Sequence, residues 1–388
     1  MLILREFLLA ITCIYSFNVA LEPSVAQEGH VLKSGQPDSL RLNQIQVIGS
    51  HNSFKTAIEP NLYRLLVKSR PDAQELDYAH PSLSDQLNLG LRGLEIDVFY
   101  DPQGGQYAKP LGLEIVRKSG GDPLPYDPEG KMREPGFKVL HIQDIDFRSN
   151  CLTLVDALTE LRTWSHQHPR HLPVIITLNL SDNPIELPGS VAPVRFDRAA
   201  YDSLDQQFLS TLGRDKLVLP DNVRGDHETL GAAVRNSGWP TLAETRGRFL
   251  LVLDDAGRKR EEYLADHPAL VGRVMFTNSE PGQPEAAVMI RNQPLIDGEK
   301  ISQLVQQGYL IRTRADSGTI EARNGDYSRF EAAKKSGAQV ISTDYYLADW
   351  RLNSSYSIRF DQGRCSRLNP ITYQDQSDLP ESSIPLHP

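Results

Sequence analysis

The chain has 388 residues, 39% of them hydrophobic and 23% charged, with a formal net charge of −9. That composition suits a folded globular enzyme and not a disordered chain. The acidic balance argues against nucleic-acid binding, which needs clustered Lys and Arg, and against strong electrostatic attachment to anionic lipid.

The N-terminus has a secretory pattern. Arg5 precedes an apolar run over 7–20, and small-residue sites follow at Asn18-Val19-Ala20 and Ser24-Val25-Ala26. A signal peptide over 1–26 is expected, and with it a secreted or periplasmic location; Glu6 weakens the charged start and leaves an uncleaved anchor open. The run is short for a membrane span, and no later segment approaches one. Removing the signal takes Cys13 with it. Cys151 and Cys365 then remain. An oxidising compartment allows a disulfide between them, two unpaired thiols being the alternative.

In chain order, Ile45-Gln46-Val47-Ile48 reads as a short strand ending at Gly49-Ser50-His51-Asn52-Ser53. After a long loop, Ser82 and Asp85 have capping-box spacing for a helix running to Leu89. Residues 90–100 form a buried strand, with Leu94, Ile96 and Val98 on one face and Glu95 and Asp97 together on the other. A Gly/Pro/charged insertion follows, roughly 101–135; long irregular segments beside a site are often functional. Residues 137–142 are strand-like and deliver His141. Residues 152–166 have helical spacing, and 173–178 are a β-branched buried strand ending at Asn179. Helices are predicted over 198–212 and 241–246, then strands over 249–253, ending in Asp254-Asp255, and over 274–276. Helical periodicity returns over 301–307, followed by a strand over 309–312, a helix over 327–336 and a last strand over 340–343 that runs into Asp344 and Tyr345.

Eight short apolar strands with crossover-length connections predict an α/β fold, a single-domain (β/α)8 TIM-type barrel over 27–370, with a tail over 371–388. An open doubly wound sheet is the alternative, but no Gly-rich loop follows the first strand. In a barrel the carboxyl ends of the strands converge on one face. His51 and Asn52, then Glu95 and Asp97, His141, Asn179, Arg312 and Arg314, and Asp344 all fall at such ends. His166, His168 and His171 lie between a helix and a strand, at the opposite mouth, and read as surface residues.

Two neighbouring carboxylates are costly to bury unless something cationic holds them. A hard cation, such as calcium or magnesium, does so through oxygen ligands, and zinc is disfavoured by this oxygen-rich set. A solvated polar face, or pairing with Arg92, is the bland alternative. Two histidines beside an oxygen-lined metal site suit phosphodiester cleavage, one accepting a proton from the attacking hydroxyl and the other donating one to the leaving oxygen. Arg312 and Arg314 either reach the phosphate or pair with Asp316 or Asp344.

Several segments, in order, resemble the bacterial calcium-dependent phosphoinositide-specific phospholipase C family. They are Ile48-Gly49-Ser50-His51-Asn52-Ser53-Phe54, Leu76-Asp77-Tyr78-Ala79-His80-Pro81, Leu94-Glu95-Ile96-Asp97-Val98, Val139-Leu140-His141, Gly238-Trp239-Pro240-Thr241-Leu242, Ile311-Arg312-Thr313-Arg314-Ala315-Asp316 and Ser342-Thr343-Asp344-Tyr345-Tyr346. The resemblance implies a secreted barrel enzyme that cleaves the glycerol–phosphate bond of phosphatidylinositol through a cyclic inositol phosphate, in transient contact with a membrane surface. It implies His51 and His141 as the acid–base pair, and Asn52, Glu95, Asp97 and Asn179 as calcium ligands. Arg312, Arg314, Asp344 and Tyr345 are the candidates for substrate contact. The chain departs from the family where Asn179 and Ser181 replace a glutamate and a lysine. Two rival readings are a glycerophosphodiesterase, whose family begins with His-Arg-Gly, and a weakly active secreted barrel that binds lipid or sugar phosphate.

Overall fold

The computed structural model describes residues 36–236, 238–352 and 354–373. The expected signal segment, Cys13 and nearly all of the expected tail lie outside them. The strands are β1 (Ile45–Ser50), β2 (Gly93–Asp101), β3 (Gly136–Val139), β4 (Val174–Leu180), β5 (Phe249–Leu253), β6 (Phe276–Thr277), β7 (Val288–Ile290), β8 (Leu310–Arg314), β9 (Val340–Thr343) and β10 (Ser366–Leu368). Eight of them are parallel, in the order β6-β5-β4-β2-β1-β9-β8-β7. One further parallel bridge, Asn278 to Val288, joins the two ends, so the barrel is nearly closed.

The strands are runs of Val, Ile, Leu and Phe buried on both faces, as a parallel sheet covered by helices requires. The helix Leu154–Gln167 begins where Thr153 accepts a hydrogen bond from the Asp156 amide, 3.2 Å, and buries Leu154, Ala157, Leu158, Leu161 and Trp164. That spacing puts one stripe against the barrel. The helix Arg198–Leu212 spans the predicted residues. The predicted helix over 301–307 starts earlier, at Pro294, whose fixed φ suits a first turn.

Two expectations about the strands are corrected. The strand carrying His141 is not a barrel strand: β3 runs antiparallel to β2, with Val139 opposite Val98 and Gly136 opposite Asp101. The eighth barrel strand is β7, three residues long, reached from β6 without an intervening helix. The insertion after β2 is also more ordered than expected. It holds the helix Leu111–Lys118, whose Val116 packs with Ile58, Leu62 and Phe147 in a small separate core.

Of the two alternatives for the cysteines, the structure has the unpaired thiols. Cys151 and Cys365 are both free and buried, Cys151 in the main core and Cys365 in a second cluster beside Ile48, Leu91 and Tyr346. Burial pushes the Cys151 thiol up to about 12. Among the described residues the three clustered histidines do not come together as a group that could hold a metal. His166 is exposed and His168 stacks on Trp164, but His171 is core rather than surface, with one ring nitrogen 3.0 Å from Ser165 Oγ. Arg92 is likewise not the partner of the acidic pair. It lies on the opposite face of β2, donates to the Leu87 and Leu91 carbonyls and stacks on Trp164.

One close approach positions the site. β1 and β2 meet at Gly49 and Gly93, where a Cβ on Gly49 would lie 2.8 Å from the Gly93 backbone. Only glycine permits that contact. It brings the turn after β1 down onto the acidic strand.

Candidate active site

The turn after β1 is sewn to β2. The Ser53 amide donates to the Glu95 carbonyl, 2.9 Å, and the Glu95 amide donates to Ser53 Oγ, 2.8 Å. Between them Asn52 has φ +46, a left-handed conformation that asparagine tolerates better than most residues. Its side-chain amide donates to the Tyr78 hydroxyl, 2.7 Å. His80, not assigned from sequence, supports the same turn. It donates from Nε2 to the His51 carbonyl, 2.8 Å, and its Nδ1 accepts from the Tyr346 hydroxyl, 3.1 Å. Burial pulls His80 down to about 4, so it is a neutral strut and not a proton donor.

His51 is held by a carboxylate on one nitrogen and faces a guanidinium on the other. Its Nδ1 lies 2.7 Å from Asp344 Oδ1, at the end of β9. Arg314 Nη1 lies 3.3 Å from its Nε2. Arginine has donors only, so this contact requires a lone pair on Nε2 and the proton on Nδ1. Arg314 also donates to Asp344 Oδ2, 3.0 Å. Burial and the Arg314 charge depress the His51 pKa against the pull of Asp344 and Glu95. Behind Asp344 lies Asp316, which burial and the neighbouring Asp344 push up to about 7. Asp344 itself stays ionised: burial opposes that, but His51 and Arg314 outweigh it.

His141 has the same kind of partner and a different surrounding. Its Nδ1 donates to Asp146 Oδ2, 2.8 Å. The same oxygen is 3.4 Å from Lys55 Nζ, a fully buried ammonium that also donates to the Leu76 and Tyr78 carbonyls. Burial lowers the His141 pKa, but the Asp146 hydrogen bond and the charges of Asp146 and Asp97 outweigh it, and the net shift is upward. His141 reaches the barrel mouth because β3 descends antiparallel along β2.

The acidic pair lies between the two histidines. Glu95 and Asp97 are 3% and 5% exposed and point into the barrel. Asn179 Nδ2, on β4, donates to Glu95 Oε1, 2.8 Å, and to Asp97 Oδ1, 2.9 Å. Arg312 donates to Glu95 Oε2 and to Asn292 Oδ1. Glu95 is kept ionised although burial opposes it, since Arg312, His51 and Arg314 prevail. Asp97 is pushed up to about 7 by burial, against His141 and with the help of Glu95. Asp254, at the end of β5, is also pushed up to about 7 by burial.

The sequence-predicted residues are therefore largely brought together. His51, Arg314 and Asp344 form one linked group and Glu95, Asp97, Asn179 and Arg312 another, His141 feels the charge of Asp97, and the Asn52 side chain is bonded to Tyr78. Two of the substrate candidates are already committed: Arg312 to Glu95, and Asp344 to His51. Tyr345 lies past the end of β9, and its hydroxyl is engaged away from the acid–base groups. Its hydroxyl donates to the Asp77 carbonyl, 3.2 Å. Lys55, His80, Asp146 and Asp254 were missed. Asp254 carried a signal in its place at the end of a predicted strand, and His80 in its place within a segment that resembles the family.

These residues match a known family. Residues 40–370 fit the model for the Ca2+-dependent phosphoinositide phospholipase C family. The chain belongs to that family. It is an enzyme of the phosphoric diester hydrolase class. No curated protein matches the chain. Among solved structures it is similar to the calcium-dependent phosphoinositol-specific phospholipase C of a Pseudomonas species, described in an apo form and a myo-inositol complex. The identity is 16%, the TM-score 0.51, and the match covers 86% of this chain and 96% of that one. It is also similar to the Ca2+-dependent phosphatidylinositol-specific phospholipase C of Streptomyces antibioticus, at 19% identity and TM-score 0.51, over 79% of this chain and 95% of that one. At these identities the likeness is one of fold, and it agrees with the TIM-type barrel.

The family's ion can be tested against the side chains. Among the described residues no three acidic, His or Cys groups form a metal cluster. The reason is local: two of the four expected ligands are amides, Asn52 and Asn179. Their carbonyl oxygens, with the Glu95 and Asp97 carboxylates, make a hard donor set that calcium accepts. Asn179 touches both carboxylates, so the three groups converge on one point. Turning its amide over would set three oxygens there, an arrangement stable only around a cation. Burial raises Asp97 and Asp254 alike, and the charge of Glu95 adds to both. The residues fit the ion.

Proposed function

We propose that this enzyme cleaves the glycerol–phosphate bond of phosphatidylinositol-type lipids by histidine acid–base catalysis, with calcium held by Asn52, Glu95, Asp97 and Asn179. One observation carries the reading: two carboxylate-held histidines flank a buried acidic pair at one rim of the barrel. Bound there, calcium supplies Lewis acidity to the inositol hydroxyl and offsets charge on the phosphoryl group.

His51 is the base. Its Nε2 carries a lone pair, and Asp344 stabilises the imidazolium formed when it takes the proton of the inositol hydroxyl. Attack of that oxygen on its own phosphorus is intramolecular and gains from proximity. His141 is the acid. Asp146 and Asp97 favour its charged form, and it gives its Nε2 proton to the glycerol oxygen as that P–O bond breaks. The products are diacylglycerol and a cyclic inositol phosphate. Arg314 stands beside Nε2 of His51 and would meet a phosphoryl oxygen bound there. The secretory pattern of residues 1–26 supports an exported enzyme working on an external lipid surface.

The test is release of diacylglycerol and cyclic inositol phosphate from phosphatidylinositol vesicles, with calcium and with chelator. Turnover with calcium and none with chelator is expected. Equal rates in both would remove the ion, and faster hydrolysis of glycerophosphocholine would replace the reading with a glycerophosphodiesterase.

A further inference from the structure

Tyr78 is a buried phenol with no part in the reaction described above. It packs with Ile48, Tyr345 and Tyr346, yet its polar surroundings are those of the working rim. Its ring centroid lies 5.7 Å from that of His51. Lys55 Nζ stands 4.4 Å from the Tyr78 ring centroid and donates to the Tyr78 carbonyl, 2.8 Å. The same ammonium is 3.4 Å from Asp146, the partner of His141. Lys55 thus anchors the phenol and backs the second histidine pair at once. Burial, with the charges of Asp344 and Asp146, pushes the Tyr78 pKa well up, so the phenol stays neutral.

The hydroxyl of Tyr78 accepts from Asn52 Nδ2, 2.7 Å. Asn52 is 1% exposed, and the other end of its amide, Oδ1, accepts no hydrogen bond among the described residues. Buried polar atoms ordinarily find a partner, so this open oxygen asks for one. The two amides of the expected ligand set are therefore in opposite states. Asn179 gives its NH2 to Glu95 and Asp97 and presents the wrong end to a cation. Asn52 has its NH2 drawn off to a phenol and keeps its oxygen available.

We propose that Tyr78 is a positioning residue for the ion: by accepting from Nδ2 it holds the Asn52 oxygen ready for calcium. The inference rests on the proposed calcium site. An amide ligates calcium through its oxygen alone, so its NH2 needs an acceptor elsewhere when the ion is bound. A neutral, buried phenol supplies that acceptor without adding charge. With phenylalanine at 78, holding the ion through Oδ1 would leave Nδ2 buried and unpaired, which is costly. Nothing would then keep the amide from turning over, the state Asn179 is already in.

Calorimetric titration of the full protein with calcium alone, without substrate, tests this. Tyr78→Phe keeps the ring beside His51 and Lys55 and removes only the hydroxyl. Its calcium affinity should fall about 10–100-fold, as loss of an outer partner of a metal ligand does. The same substitution is then made in an Asn52→Asp background. A carboxylate offers an oxygen at either end and needs no orienting, so there Tyr78→Phe should cost about twofold or less. An equal loss in both backgrounds would make Tyr78 a packing residue and overturn the inference. Equal calcium affinity in the parent and in Tyr78→Phe would overturn it while leaving the ion in place. A parent protein that binds no calcium would sink the ion and the role of Tyr78 together.

Discussion

The His51 and His141 sites begin from the same part and end with opposite bias. Each imidazole donates from Nδ1 to a buried carboxylate, at 2.7 Å and 2.8 Å. At His51 the cation, Arg314, sits against the free nitrogen and opposes its protonation. At His141 the cation, Lys55, sits behind the carboxylate, and Asp97 adds negative charge in front. The placement of one positive charge, outside the pair or behind it, separates a base from an acid. Only the His51 pair belongs to barrel strands; the other is carried in on an antiparallel extension.

The sharpest break of this comparison is removal of each ring. His51→Ala and His141→Ala should each lower turnover by about 10²–10⁴-fold. A substrate with a good leaving group should rescue His141→Ala and leave His51→Ala slow. Rescue of both, or of His51→Ala alone, would reverse the assignment.

Lys55→Met tests the charge behind His141. It strands the Asp146 carboxylate, which is fully buried and has one oxygen without a hydrogen-bond partner among the described residues. Breaking a buried pair costs about 3 kcal/mol or more of stability. Urea denaturation should show that loss, and Lys55→Arg should recover only part of it, since a guanidinium does not fit a site shaped for an ammonium.

Arg314→Gln tests the charge in front of His51. The pH profile of kcat/KM should rise through the depressed pKa of His51 and fall through the raised pKa of His141, on either side of the ordinary 6.5. Removing the cation favours protonated His51, so the acidic limb should move to higher pH while the alkaline limb stays. Activity below neutrality should drop about tenfold. A shift of the alkaline limb instead would mean that Arg314 acts on His141.

Much of this was legible in residue order. The buried β-branched runs announced a parallel barrel, and polar groups at the ends of β1, β2, β4, β8 and β9 announced its working rim. What escaped did so for physical reasons. β7 has only three residues, too few to show a period. The antiparallel course of β3 depends on pairing with a partner 41 residues earlier, Val139 on Val98, which no local pattern encodes. Lys55 and Asp146 lie 91 positions apart and look like ordinary surface charges until the fold buries both. Tyr345 was a substrate candidate beside Asp344, yet its hydroxyl is spent on the Asp77 carbonyl, 268 positions earlier, a contact no local pattern encodes.

The acidic pair between the two histidines offers the mildest test. Asn179 stands where the resemblance implies a glutamate, and its amide neutralises nothing: it bridges Glu95 and Asp97 by donating to both. Arg312 meanwhile holds Glu95 from the other side. A calcium ion must turn the Asn179 amide over and compete with that guanidinium. Asn179→Glu removes the first cost and adds a negative ligand. Calcium affinity, measured by calorimetry without substrate, should rise about fivefold, near 1 kcal/mol. The ion-free protein should lose stability, because three carboxylates then crowd one buried point with one arginine among them. If affinity is unchanged, the cation does not sit among these side chains, and the two histidine pairs would have to act without it.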